Sequence, residues 1–344
     1  MSTDVERNQP PYFFKQGAYG CVSYPRIDCS GKRSEKEKQE ISKVVLNGFI
    51  AKNELHIGQK VRRIKQAPKH MFITFHKHCS VKKDKFKKDK DFYRSCKLFH
   101  KTRTKSGFII MYSPYIPSIT VYEYFKTCNY QKLFDFYGFM LHAISLLLKK
   151  SIVHHDVKSN NIIVSKDTEE FSLIDFGMAL DLNKCVEGDT TTLNVSLLRK
   201  LLPYNPKYHL HSIESHILSY FFKYEKMMPL DTLKHTIQAV MEKSVTRYLY
   251  SITEIYEFYK RKLYLTDISD VQLMRGLFLD SCKTWDLYGM AYICCEAMYG
   301  YKLKVFKSFE SLLRDALHYD YTKRPNIEIQ LKRFYPIVIM KSEI

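Results

Sequence analysis

The sequence lacks the paired-cysteine motifs that hold zinc. Its nine cysteines include no C-x-x-C pair, and none has the histidine spacing typical of a zinc site. An odd set without a repeating pattern predicts reduced, mostly buried thiols in a reducing compartment. These cysteines are residues 21, 29, 79, 96, 128, 185, 282, 294 and 295.

Long apolar runs are also absent. The N-terminal stretch MSTDVERNQPPYFFKQG has no apolar segment of the kind that a signal peptide needs. The most apolar window, FMLHAISLLL at residues 139–148, is too short and too interrupted to cross a bilayer. The sequence therefore predicts an intracellular protein without a membrane span. With 344 residues, 45% of them hydrophobic and 14% aromatic, the chain can nevertheless bury a sizeable core.

Acidic residues are scarce in one part of the chain. Residues 60–105 contain 17 Lys or Arg and only 3 Asp, so this stretch carries +14 of the net charge of +19. Its centre reads VKKDKFKKDK. A solvated loop is one interpretation, and a surface for nucleic acid or an acidic protein is the other, since concentrated positive charge attracts phosphates and carboxylates.

The order of elements predicts an α+β protein. Short strand-like stretches, such as GAYGCVSY, ISKVVL, HMFITFHKHC and SGFIIMYSPYI, occupy the first hundred or so residues together with one amphipathic helix at 50–64. From about residue 119 the pattern becomes helical, notably at 131–150. We expect a small strand-rich part over 1–115 and a larger helical part over 116–344.

A dense polar cluster lies between apolar flanks at residues 153–164, VHHDVKSNNIIV. A buried strand or helix has no use for so many polar groups, because each needs a partner once water is removed. A solvated turn would not be flanked by isoleucine and valine on both sides. The pattern therefore indicates a catalytic loop held between two buried strands.

A second motif, LIDFGMA, follows, with Asp175 placed 19 residues after Asp156. The ordered pair of motifs resembles that of the protein kinases. The resemblance implies that Asp156 orients the substrate hydroxyl and accepts its proton. It also implies that Lys158 steadies the transferred phosphate, as in serine/threonine kinases, and that Asn161 and Asp175 bind Mg²⁺.

The two histidines of this loop have different expected roles. The resemblance makes His154 a structural residue that packs against the D-F-G region. His155 stands where the family usually has an arginine that reads a phosphate on the activation loop. We therefore expect activity that does not require phosphorylation of that loop.

The stretch KQGAYGCV resembles the family's glycine-rich phosphate loop, although Lys15 replaces the first glycine. Glycines allow the backbone N–H groups to approach phosphate oxygens closely. The resemblance gives nucleotide contacts to Gly17, Ala18, Tyr19, Gly20 and Val22, with Tyr19 at the loop tip and Val22 covering the adenine. An ordinary hairpin with glycine in its turn is the alternative.

Lys43 in ISKVV is the best candidate for the strand lysine that contacts the ATP phosphates. Its expected partner is Glu54 in the following helix, and Lys52 is the weaker rival of Lys43. Met111 and Ser113, in a later strand-like stretch, are further candidate contacts of the nucleotide.

The C-terminal part departs from the family pattern. Asp286, in TWDLYGMAYICCEAMYG, is expected to accept backbone hydrogen bonds from the catalytic loop. Arg324 and Pro325 match the closing arginine motif, but its partner glutamate, in an A-P-E motif, is not evident. The long spacing before Asp286 predicts a helical insertion around 212–280.

The resemblance as a whole implies a bilobal protein-kinase-like fold and a serine/threonine protein kinase that uses ATP and Mg²⁺ on protein substrates. Its divergent motifs look most like the kinases of large DNA viruses, which would place the protein in the host cytoplasm or the virion. A pseudokinase scaffold, or an anion- or nucleic-acid-binding module on the same fold, is the alternative. A small-molecule kinase is a third possibility, which Lys158 disfavours.

Overall fold

The computed structural model describes residues 13–17, 19–34, 39–102, 107–187, 192–265 and 268–342. The chain divides into two compact units. The first comprises Met1–Gln59 and Ile73–Pro117, and the second comprises Lys60–Phe72 and Ser118–Ile344. The basic stretch is therefore shared between the units, because its residues 60–72 belong to the second.

The first unit is built on a five-stranded antiparallel sheet with the order β1-β2-β3-β5-β4. Only the last part of the predicted strand HMFITFHKHC, from Lys77 onward, joins this sheet. Its earlier residue Phe72 belongs to the second unit, where it forms an isolated β-bridge with Leu173. The strands are β1 (Phe13–Gln16), β2 (Gly20–Tyr24), β3 (Glu40–Leu46), β4 (Lys77–Lys82) and β5 (Gly107–Pro114).

Strand β5 separates two apolar clusters, because successive side chains of a strand point to opposite faces. Ile109 and Met111 pack on the face that carries Ala51 of helix α1 (Phe49–Val61). The other face is covered by the lysine-rich segment, whose phenylalanines point into the sheet. This lysine-rich segment consists of a 3₁₀ helix (Lys83–Lys88) and helices α2 (Lys90–Ser95) and α3 (Lys97–His100). Its Phe86, Phe92 and Phe99 join the apolar cluster that contains Phe108 and Ile110 of β5.

Two disulfides lie in the first unit, so the prediction of reduced thiols is wrong for four cysteines. Cys21 is bonded to Cys96, and Cys29 to Cys79. These disulfides do not indicate a reducing compartment. The sequence could not reveal these pairs, because they join segments 75 and 50 residues apart. Free thiols remain at Cys128, Cys185, Cys282, Cys294 and Cys295.

The second unit is mainly helical. Its helices are α4 (Val121–Tyr124), α5 (Tyr130–Leu148), α6 (Leu182–Cys185), α7 (Val195–Leu201), α8 (Ile213–Tyr224), α9 (Leu230–Lys243), α10 (Ile252–Tyr264), α11 (Asp270–Ser281), α12 (Trp285–Gly300), α13 (Lys307–Ala316) and α14 (Ile327–Ser342). The helix predicted at 131–150 is confirmed as α5. Helices α8 to α11 occupy the region of the expected insertion. Among the described residues, no helix has the length and apolar character that a membrane crossing requires.

Short strands of the second unit hold the polar loops. β6 (Ser118–Thr120), β8 (Ile162–Ser165) and β9 (Phe171–Leu173) form one sheet, and β7 (Ile152–Val153) pairs with β10 (Leu180–Asp181). A further pair is formed by β11 (Val186–Glu187) and β12 (Thr192–Leu193). The polar stretch 154–161 therefore joins two buried strands, β7 and β8, as the sequence predicts.

Candidate active site

The loop after β7 is anchored by one buried carboxylate. Asp286, near the start of α12, accepts the backbone N–H of His154 at 2.7 Å and that of His155 at 2.8 Å. Burial raises the pKa of Asp286, although these bonds and the neighbouring His154 oppose the rise. The predicted structural role of Asp286 is thus confirmed. The loop needs such an anchor because His155 has a left-handed backbone, with φ of 63°.

Three predicted residues meet at the carboxylate of Asp156. Lys158 Nζ donates to Asp156 Oδ2 at 2.7 Å, and Asn161 Nδ2 donates to the same oxygen at 2.7 Å. Asn161 Nδ2 also donates to the backbone oxygen of Asp156 at 2.9 Å. The amide nitrogen is thereby committed to the loop, which leaves the amide oxygen as the atom of Asn161 suited to a cation.

Asp175 lies beside Asn161 in the β8–β9 region. The backbone N–H of Ile174 donates to the carbonyl of Asn161 at 2.9 Å, so Asp175 follows directly on that contact. Asp175 has φ of 65° and ψ of 72°. A residue other than glycine keeps such a conformation only where its surroundings impose it, and functional sites often do so.

His154 packs where the resemblance places it. Its Nε2 lies 3.0 Å from the carbonyl oxygen of Ile174, and its ring meets Phe176 edge-on at 4.8 Å. The expectation that His154 packs against the D-F-G region is therefore confirmed.

His155 points into a buried aromatic cluster. Its ring stacks on His211 at 4.4 Å and lies 4.9 Å from Trp285. Burial, together with His154 and His216, lowers the pKa of His155 to about 3. A buried neutral imidazole cannot form the bidentate ionic contacts of an arginine with phosphate.

Tyr208 was missed by sequence reasoning. Its hydroxyl donates to Asp156 Oδ1 at 2.7 Å, across 52 residues of sequence. Nothing in the local pattern LPYNPKYH marks this tyrosine, so only the folded chain reveals it.

The partner of Arg324 is Glu214, in the first turn of α8. Arg324 Nη1 donates to Glu214 Oε1 at 2.5 Å and Nη2 donates to Oε2 at 3.1 Å. Tyr259 and Trp285 also donate to this carboxylate, at 2.9 and 3.2 Å. The sequence does contain an indication of this ion pair. Glu214 is the only charged residue in the stretch SIESHILSYFF, and a glutamate buried with such neighbours requires a buried partner.

The glycine-rich stretch forms the turn between β1 and β2. Gly17 N–H donates to Gly20 O at 2.8 Å, and Tyr19 is 48% exposed. A Cβ at Gly20 would lie 2.6 Å from Val45 Cγ1, so the close approach of β2 and β3 requires glycine here. Val22 lies opposite Lys43 in the sheet register. Ala18 lies outside the described residues.

The predicted ion pair between Lys43 and Glu54 is confirmed. Lys43 Nζ donates to Oε1 and Oε2 of Glu54 at 2.8 and 2.9 Å. The rival Lys52 is exposed on α1. Met111 lies opposite Lys43 in the β3–β5 register and is buried, and Ser113 is buried further along β5. The nucleotide-binding roles of these residues stay predictions.

Comparison with known proteins adds one partial similarity. No protein-family model matches the chain. A segment of 66 residues is 30% identical to a non-specific serine/threonine protein kinase of Drosophila melanogaster. The match covers 19% of this chain and 10% of that protein. The similarity thus indicates a relationship to a kinase over part of the chain.

Proposed function

We propose that this chain is a protein kinase that transfers the γ-phosphate of ATP to serine or threonine hydroxyls of protein substrates. The observation that carries the proposal is the carboxylate of Asp156, held by Lys158 and Asn161 in an anchored loop. The partial similarity to a serine/threonine kinase supports it. We propose, on the same grounds, a protein-kinase-like fold in which the first unit is the small lobe and the second is the large lobe.

In the proposed reaction Asp156 accepts the proton of the substrate hydroxyl while the hydroxyl oxygen attacks the γ-phosphorus. Lys158, whose ammonium lies 2.7 Å from Asp156, offsets the negative charge of the phosphoryl group being transferred. Asn161 keeps the carboxylate oriented toward the nucleophile. Orientation of this kind lowers the barrier because the reacting groups meet in a fixed geometry.

We propose Mg²⁺ and ATP as the ligands of this protein. Asp175 and Asn161 supply a carboxylate and an amide oxygen, and Mg²⁺ binds to one or two such protein groups together with phosphates and water. Bound there, Mg²⁺ would neutralise charge on the phosphates of the nucleotide. Within the first unit, Lys43, fixed by Glu54, is the proposed cation for a nucleotide phosphate. The turn between β1 and β2, in which Gly17 and Tyr19 are exposed, is proposed as a backbone contact of the nucleotide.

The test is transfer of labelled phosphate from ATP to generic protein substrates, with Asp156→Asn compared against the wild type. Loss of the base is expected to lower the rate by ~10²–10⁴ and to leave ATP binding nearly intact. Asp167→Asn, in the exposed turn after β8, is the matched control and should behave as the wild type. Nucleotide binding without transfer by any of the proteins would favour a pseudokinase scaffold.

A second candidate function is polyanion binding by the lysine-rich segment of the first unit. The segment is a folded element and not an irregular loop, because Phe86, Phe92 and Phe99 fix it to the sheet. These three phenylalanine rings point toward the sheet, so they are not accessible for stacking on nucleic-acid bases. Contact between the outward cations and a phosphate backbone is therefore favoured. We propose duplex nucleic acid as the ligand, with an acidic protein as the alternative. The outward cations of this segment and of the two residues that flank it, all exposed, are Lys82, Lys85, Lys87, Lys88, Lys90, Arg94, Lys97 and Lys101.

The stretches GAYGCV and IDFGMAL support a divergent kinase of the type found in large DNA viruses. We therefore extend the proposal to an intracellular location, in the host cytoplasm or the virion. A nucleic-acid-binding surface would suit an enzyme that works near a viral genome.

A further inference from the structure

The side chain of Tyr208 is held at Asp156 by its own surroundings in the second unit. His211 meets its ring edge-on at 4.6 Å, and His211 Nε2 in turn lies 3.1 Å from the carbonyl oxygen of His155. The backbone N–H of Tyr208 donates to the carbonyl oxygen of Asn205 at 3.0 Å. The hydroxyl therefore reaches Asp156 from a segment that is fixed at both its ring and its backbone.

The two oxygens of the Asp156 carboxylate have different partners. Oδ2 accepts from Lys158 and Asn161, whereas Oδ1 accepts from the Tyr208 hydroxyl at 2.7 Å. A catalytic base holds its nucleophile by a hydrogen bond of about 2.6–3.2 Å. The phenol of Tyr208 thus makes the contact that the proposed reaction requires of an acceptor hydroxyl.

We propose that Tyr208 is an internal acceptor: its hydroxyl occupies the acceptor position at Asp156 and is phosphorylated within the same molecule. The inference rests on the proposed kinase function and adds to it a modification site. Tethering supplies the acceptor at a high effective concentration, which compensates for the difference between a phenol and an aliphatic hydroxyl.

The step balances with ATP as the phosphoryl donor. The phenolic proton moves from Tyr208 Oη to Asp156, and the bond between Oη and the γ-phosphorus forms. The bond between that phosphorus and the bridging oxygen of ADP breaks, and ADP leaves with the electron pair. Lys158 Nζ, 6.0 Å from the centre of the Tyr208 ring, is available to the new phosphate. Once Asp156 has released this proton to solvent, its carboxylate repels the dianionic product, which vacates the acceptor position.

The first experiment incubates the full-length protein with Mg-ATP and maps modified residues by mass spectrometry, with a serine peptide phosphorylated in parallel. We expect phosphate on Tyr208 at a first-order rate that does not change with protein concentration. A phosphorylated peptide with unmodified Tyr208 would overturn the inference while leaving the kinase proposal standing. Modification at a rate proportional to protein concentration would also overturn it. Absence of all transfer would overturn the kinase proposal itself.

The second experiment needs no turnover. Tyr208→Phe keeps the ring on His211 and removes only the competing hydroxyl. Calorimetric titration with a serine peptide, without nucleotide, should give about 3- to 10-fold tighter binding to this variant, because the acceptor position is no longer occupied. Tyr204→Phe is the control, since that hydroxyl contacts Thr236 Oγ1 at 2.8 Å. Unchanged peptide affinity together with a lower kcat would make Tyr208 a positioning residue and overturn the inference.

Discussion

The carboxylate of Glu214 and the guanidinium of Arg324 form a two-bonded ion pair that is fully buried, although 110 residues separate them. Burial opposes ionisation of Glu214, but the attraction and hydrogen bonds of Arg324 outweigh it and lower the pKa of the carboxyl. The pair therefore stays charged at neutral pH and joins the first turn of α8 to the C-terminal part of the second unit.

Glu214→Gln should destabilise the protein strongly, since it leaves Arg324 buried without its counter-charge. We expect the free energy of unfolding, from urea titration followed by circular dichroism, to fall by about 3–5 kcal/mol. Glu225→Gln is the control, because Glu225 caps the same helix and pairs with Arg199 at the surface. That change should cost less than about 1 kcal/mol. Equal effects of the two substitutions would contradict this account of the buried pair.

Lys43→Met should weaken binding of a fluorescent ATP analogue. A charge-assisted hydrogen bond contributes about 1.5–3 kcal/mol, which corresponds to a loss of about 10- to 150-fold in affinity. The control Lys52→Met removes the same charge from the exposed side of α1. Its affinity for the ATP analogue should stay within about twofold of the wild-type affinity. If Lys52→Met were the weaker binder, the strand lysine would have been assigned wrongly.

Asp175→Asn tests the proposed metal ligand. Asparagine tolerates the left-handed backbone at this position, so the change removes charge without adding strain. Wild-type affinity for ATP should rise when Mg²⁺ is added, and the variant should lose most of that gain. An identical response to Mg²⁺ in both proteins, measured by the same fluorescent analogue, would exclude Asp175 as a ligand.

The buried histidines make stability depend on pH. Burial is the main cause that lowers the pKa of His155 to about 3 and of His216 to about 4. Between these values and about 6.5 the unfolded chain binds protons that the folded chain does not, so stability must fall as pH decreases through that window. Each histidine contributes a slope of up to about 1.4 kcal/mol per pH unit.

His155→Phe isolates one of these groups. Neither ring nitrogen of His155 has a hydrogen-bond partner among the described residues, and phenylalanine preserves the stack on His211. The variant should be at least as stable as the wild type at pH 7 and should lose less stability at pH 5, measured by urea unfolding. His235→Gln, at an exposed helical position, should leave the pH dependence unchanged. The same slope in all three proteins would contradict the assignment.

A variant in which Lys82, Lys85, Lys87 and Lys88 are replaced by glutamate tests whether the lysine-rich segment binds polyanions. The four substitutions reverse the charge of outward side chains. Lys83 is excluded because it is buried and donates to Thr102 O at 2.8 Å. We expect DNA affinity near 100 mM salt to fall by about 10² or more, with a shallower dependence on salt. Peptide phosphorylation should not change.

The matched control replaces four exposed lysines of the second unit by glutamate. They are Lys223, Lys226, Lys234 and Lys243. The net charge then changes by the same amount on another surface. An equal loss of DNA binding would show that total charge, and not the lysine-rich segment, governs the interaction. Retained DNA binding with loss of binding to an acidic protein would favour the alternative partner.

Local sequence determined the core of the candidate site. Asp156, Lys158 and Asn161 lie within six residues of each other, so a single loop between two apolar strands brings them together. The pairing of Lys43 with Glu54 follows from a strand and the next helix, 11 residues apart. The continuous apolar run at residues 108–112 likewise accounts for the burial of β5 on both faces. Short-range geometry restricts such contacts to few arrangements, which is why motif and spacing predict them.

Only the tertiary structure decided the partners that come from distant segments. Tyr208 reaches Asp156 across 52 residues and Glu214 reaches Arg324 across 110, and the Cys21–Cys96 bond closes a separation of 75. Their meeting depends on how whole helices and strands pack, because loop closure over such lengths selects no particular pair of residues. Burial then makes each contact specific, since a polar group removed from water must find its partner.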